Sequence, residues 1–109
     1  TEIWNGTNWT EVGDMNTARN AVSTFGSSTN AITAGGNIAP GKSASAELWN
    51  GTSWSTQNNL NTATSSGAAA GSTTAGIYFG GAIPGTPDRS AATQEWNTPG
   101  SITKTVSTD

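Results

Sequence analysis

The chain contains no cysteine and no histidine in its 109 residues. Without thiols there is no disulfide, no zinc–thiolate centre and no cysteine nucleophile, and without imidazole the commonest general base at neutral pH is missing. Charge is also scarce, with four basic and seven acidic residues and a net charge of −3. The basic residues form no cluster, whereas nucleic-acid phosphates and anionic membrane surfaces call for grouped Lys and Arg, so neither is an expected partner. No apolar run reaches the length of a signal-peptide core or a membrane span. Apolar residues make up only 32% of the chain, which leaves a conventional core thin.

Catalytic chemistry finds little to use in what remains. The carboxylates Glu2, Glu11, Asp14, Glu47, Asp88, Glu95 and Asp109 show no motif spacing, and glycosidase chemistry needs two acids converging across one site. Glu2, Glu47 and Glu95 are read as equivalent repeat positions next to the tryptophans, which suggests a surface role repeated along the chain. The glycine pairs open no helix and so make no phosphate cradle. The expectation is a protein that is not an enzyme and needs no cofactor or metal.

What the sequence does have is repetition. Trp4-Asn5-Gly6-Thr7-Asn8-Trp9 returns as Trp49-Asn50-Gly51-Thr52-Ser53-Trp54, a period of roughly 45 residues, in the range of propellers and solenoids. The same spacing relates Met15-Asn16-Thr17-Ala18 to Leu60-Asn61-Thr62-Ala63 and Gly35-Gly36 to Gly80-Gly81. Asn-Gly between alternating segments reads as a tight hairpin turn. A chain poor in apolar residues can be disordered, but five Trp at recurring places and a low net charge favour a packed β fold.

Strands are expected over 1–5 and 8–12, then over 21–26, 31–34 and 44–48, with 13–20 as a polar connection anchored by Met15. The second pass gives strands at 66–71 and 76–79. Gln94-Glu95-Trp96-Asn97 then lines up with Glu47-Leu48-Trp49-Asn50, two residues later than the first spacing requires. After Asn97 the pattern departs, with Thr98-Pro99-Gly100 and a Trp-less alternating end, as a capping or closing unit would show. The chain divides into a hairpin at 1–12, a complete four-stranded unit at 20–58 and a second unit at 66–108 with an atypical last strand.

Four short strands per unit, a double glycine after the second, an aromatic in the third and a Trp in the fourth resemble the kelch repeat. The closest resemblance is to the Gly-, Ser-, Thr- and Asn-rich galactose-oxidase-like propellers of bacteriophages and environmental sequences. Gly35, Gly36, Gly80 and Gly81 take the double-glycine places, Trp4, Trp49 and Trp96 the aromatic place, and Trp9 and Trp54 the later Trp. The resemblance implies an all-β protein of about two to two and a half propeller blades. It does not bring the copper oxidase chemistry, because Tyr78 is the only tyrosine and the other ligands are absent.

Closed propellers have typically four to eight blades, so the expected partners are further copies of the chain or the remaining blades of a longer one, such as a phage virion or receptor-binding protein. In the first case Thr1 to Val12 would supply the outer strands of a blade whose inner strands come from a neighbouring copy, a position for which the tail from Ala92 onward competes. Loops after the double glycines are the expected ligand face, with Lys42, Asp88 and Arg89 as candidates for a glycan or protein ligand. The tryptophans are expected to pack blade on blade, with sugar stacking as the alternative.

Overall fold

The computed structural model describes residues 1–85 and 89–97, together with the backbone of 101–107. All regular structure among them is β. The strands are β1 (Glu2–Trp4), β2 (Trp9–Glu11), β3 (Ser23–Ser27), β4 (Asn30–Ala34), β5 (Asn37–Ile38), β6 (Gly41–Lys42), β7 (Ala46–Trp49), β8 (Trp54–Gln57), β9 (Ala68–Gly71), β10 (Ala75–Phe79), β11 (Ala92–Asn97) and β12 (Ser101–Ser107). They form two four-stranded antiparallel sheets, β3-β4-β7-β8 and β9-β10-β11-β12, and two two-stranded sheets, β1-β2 and β5-β6. The four-stranded sheets are called blade 1 and blade 2 below.

The Asn-Gly sites turn the chain by a route different from the expected tight turn. Trp4 pairs with Trp9 and Trp49 with Trp54, leaving four residues in each turn. The asparagine acts through its side chain: Asn5 Oδ1 accepts the N–H groups of Thr7 and Asn8, both at 2.8 Å. Asn50 Oδ1 does the same for Thr52 and Ser53 at 2.8 and 2.9 Å. Only the following glycine takes positive φ, 97° at Gly6 and 95° at Gly51. The dipeptide thus divides the task, the amide organising the loop and the glycine supplying the left-handed backbone.

The blades stack face to face. Phe25 on β3 and Ile32 on β4 point from blade 1 into blade 2, where they bury against Trp96, with Leu48 and Ala69 at the margin. Gly76 makes the approach possible, since a Cβ there would lie 2.5 Å from the Phe25 ring. A second cluster joins Ala34, Ala46, Leu60 and Tyr78 nearer the connectors. Each fully buried large side chain contributes about 1.5–3 kcal/mol, so a few aromatic and aliphatic contacts per junction stand in for the thick core that the composition denies.

The segment 58–65 ties the blades together through its backbone. Leu60 N–H donates to Ala44 O at 2.7 Å, Thr64 N–H to Ser43 O at 3.1 Å, and Gly36 N–H to Thr64 O at 2.8 Å. At matching positions of the repeat, blade 1 carries Thr33 and blade 2 carries Tyr78, which is 2% exposed. Burial pushes its phenol above the ordinary value of 10, while the neighbouring Ser23 hydroxyl and Gly67 backbone act more weakly in the other direction. The neutral phenol is therefore favoured in the fold, and stability is fully present below pH 10 and falls as the pH rises through the raised value. Tyr78→Phe is expected to abolish that alkaline fall at little cost at neutral pH, measured as urea midpoints at pH 7 and above pH 10.

Candidate functional site

The most elaborate polar site lies where the first connector meets blade 1. Arg19 is wholly covered, with its side chain 0% exposed, and Glu47 on β7 is 2% exposed. Arg19 Nη2 donates to Glu47 Oε2 at 2.8 Å, and Nη1 donates to the carbonyls of Gly35 and Ser45 at 2.9 and 2.6 Å. Glu47 also accepts the N–H groups of Asn16 at 2.6 Å and Thr17 at 3.4 Å. Both carboxylate oxygens are engaged, so the group fastens the connector to the sheet and has no open position for general acid or base work.

This corrects the reading of Glu2, Glu47 and Glu95 as equivalent surface acids. Glu47 is buried, Glu2 is exposed and Glu95 is half-buried. Glu95 pairs with Ile77 on β10 as Leu48 pairs with Ile32 on β4. The counterpart of Glu47 in blade 2 is Gln94, 4% exposed, whose Oε1 accepts the N–H of Asn61 at 2.7 Å. Thr64 then stands in the place of Arg19 and turns its hydroxyl to Thr62 O at 2.8 Å. One clamp is ionic and the other neutral, on one backbone plan.

The candidates for ligand contact sit at one end of the blades. Lys42 lies on β6 opposite Asn37; Arg89 takes the same place in blade 2, bridged to Ala82. Both connectors run alongside, through Asn20 bridged to Asn37 and Ser65 bridged to Ala82. An open polar hollow of about 340 Å³ lies between Asn20, Asn37, Pro40 and Lys42. Asp88 lies outside the described residues. The short β5-β6 hairpin that presents Lys42 carries two residues per strand, too little for periodicity to announce. Among the described residues no cluster of acids, His or Cys could hold a metal ion.

The tryptophans divide by burial. Trp49 and Trp96 are each 3% exposed, with indole N–H groups given to Ser28 O at 3.0 Å and Thr73 O at 2.8 Å. Trp54 gives its N–H to Thr1 Oγ1 at 3.1 Å. Trp4 and Trp9 are 49% and 65% exposed and lean on each other at 5.6 Å between ring centroids.

Two outward faces lie outside that junction: the blade 1 face, where Ala31 and Trp49 are buried beside the β1-β2 hairpin, and the blade 2 face, where Ile77 is 39% exposed. On the near side of blade 1, Ala31 and Trp49 line an apolar hollow of about 320 Å³ with Ile3, Trp4 and Trp9. Ala31 is the repeat counterpart of Gly76 and Trp49 of Trp96, the surface that blade 1 covers at the existing junction. On the far side of blade 2, Ala70, Ile77 and Glu95 line another hollow of about 340 Å³. Ala70 and Ile77 are the counterparts of Phe25 and Ile32, the residues that do the covering.

Antiparallel four-stranded sheets stacked face to face define this chain as a set of β-propeller blades. Among solved structures, that of YjhT matches with a TM-score of 0.74 and 13% identity over 96% of this chain and 36% of the YjhT chain. At that identity the likeness is one of fold, and the chain spans about a third of YjhT's length. No protein-family model and no curated protein sequence matches it.

Proposed function

We propose that the chain is a non-enzymatic building block of a kelch-type β-propeller, a structural and binding module whose outer blade faces are covered by further blades. Its loop end, with Lys42 and Arg89 and the sequence neighbour Asp88 outside the described residues, is the surface offered to a protein or glycan partner. The observation that carries this reading is the open far face of blade 2, made of the positions that are buried at the blade 1–blade 2 junction. Ile77 is 39% exposed where its counterpart Ile32 is 0% exposed. Repeat units that cannot bury such a face alone gain stability by stacking. The reading is tested with Ile77→Asp, followed by light scattering and circular dichroism. The unsubstituted chain is expected to run as a folded β-rich oligomer and the variant as a folded 11.0 kDa monomer, with association weakened at least tenfold. A folded monomer for both would overturn it.

A further inference from the structure

Resting on that reading, we infer that the next blade comes from a second copy of this chain, whose β1-β2 hairpin pairs with β10 in place of β11-β12. The first argument is register. In blade 1, β4 pairs Ala31 with Trp49, Ile32 with Leu48 and Thr33 with Glu47. In blade 2, β10 pairs Gly76 with Trp96, Ile77 with Glu95 and Tyr78 with Gln94. The run Glu2-Ile3-Trp4-Asn5-Gly6-Thr7 repeats Glu47-Leu48-Trp49-Asn50-Gly51-Thr52 closely, whereas β11 reads Gln94-Glu95-Trp96-Asn97 and then departs. Laid on β10 in the blade 1 register, β1 puts Ile3 opposite Ile77. An apolar cross-strand pair replaces an isoleucine set against a carboxylate.

The second argument is what the hairpin lacks at home. Among the described residues β1 and β2 pair only with each other, and an isolated two-stranded hairpin is marginal in water. Trp4 and Trp9 stay exposed there, while Trp49 in the same place of blade 1 is buried.

The third argument is continuity with the junction already formed. A hairpin docked on a neighbour's β10 remains attached to its own blade 1, so it brings the Ala31–Trp49 face against the neighbour's Ala70–Ile77 face. Sizes match across both junctions. Phe25 meets Gly76 within the chain, and Ala70 would meet Ala31 between chains, a large–small pair exchanged for two small residues. Gly80 fits the same geometry, since among the described residues nothing lies within 4 Å of a Cβ built there, while its counterpart Gly35 is pressed by the connector that enters the next blade.

The test uses the absence of native cysteine. Ile3→Cys and Ile77→Cys are made as separate full-length variants, mixed in equal amounts, allowed to exchange and oxidised. The expected product is a disulfide-linked heterodimer in the mixture and none in either variant alone. Oligomers that form without this cross-link would overturn hairpin exchange and leave the building-block reading standing; monomers without it would overturn both. Ile77→Lys supplies a check free of added cysteine. It sets Lys opposite Glu95 in the unexchanged sheet but opposite Ile3 in the exchanged one, so the mass is expected to fall at least tenfold more readily on dilution. An unchanged mass would overturn the inference.

Discussion

Arg19→Ala is expected to lower the stability of the fold by about 3–5 kcal/mol, the cost of leaving a buried charge without its partner. The loss has a specific source, since Glu47 keeps its place 2% exposed while the Gly35 carbonyl loses the guanidinium and the Ser45 carbonyl keeps only the Gly35 N–H. Glu47→Ala is expected to cost a similar amount by stranding the guanidinium. The protein itself supplies the control, because blade 2 carries Thr64 and Gln94 at the same two places. Arg19→Thr with Glu47→Gln should therefore recover at least half of either single loss, because no buried charge is left without its partner. Urea midpoints with unchanged slopes measure this, and a double variant no better than the singles would show that the ion pair is not what sets stability there. Because the pair is dry, raising the salt concentration should leave its contribution nearly unchanged.

Gly35→Ala and Gly80→Ala are expected to separate sharply although both glycines have a φ of 69°. The left-handed backbone alone costs an alanine about 1–2 kcal/mol, and both variants meet that cost. At Gly35 the added methyl also presses on the Thr64 carbonyl, and it would lie 2.9 Å from the Tyr78 hydroxyl and 3.4 Å from Leu60. Overpacking of this kind adds about 1–3 kcal/mol. Thermal unfolding of the dissociated chain should thus place Gly35→Ala well below Gly80→Ala, and equal midpoints would contradict the packing described. In association the order is expected to reverse, with Gly80→Ala the more damaging, because the incoming connector has to fill that empty place.

The blades were legible in the sequence because their markers recur. Trp49 and Trp96 each bury an indole and give its N–H to a turn carbonyl, and the double glycines each begin a loop with positive φ; neither demand can be met by many residue types, so the spacing survives. The Arg19–Glu47 clamp was not legible for the opposite reason. Its counterpart is neutral, so Arg19 has no echo and read as one polar residue of a connection. The two-residue shift that aligns Trp96 with Trp49 also aligns Gln94 with Glu47, and applying it throughout would have paired those positions and freed Glu95. The turns were found by their Asn-Gly, but that dipeptide does not reveal that the asparagine works through Oδ1. Positive φ at Ala21 and Ser66, 54° and 59° at matching points of the two connectors, leaves no compositional trace, because both positions lack the glycine that usually signals it.

The difference between the ionic clamp of blade 1 and the neutral clamp of blade 2, matched by Phe25 facing Gly76 at one junction and Ala70 left for Ala31 at the other, gives the structure a parity. Neighbouring blades are alike in outline but not interchangeable, so a slip by one blade would set Phe25 against Ala31 and leave Ala70 facing Gly76, a clash at one junction and a void at the next. A ring closed by such chains would count its blades in pairs and have one rotational repeat per chain. Side-chain volume would thus hold the blades to the alternation that two blades per chain already impose.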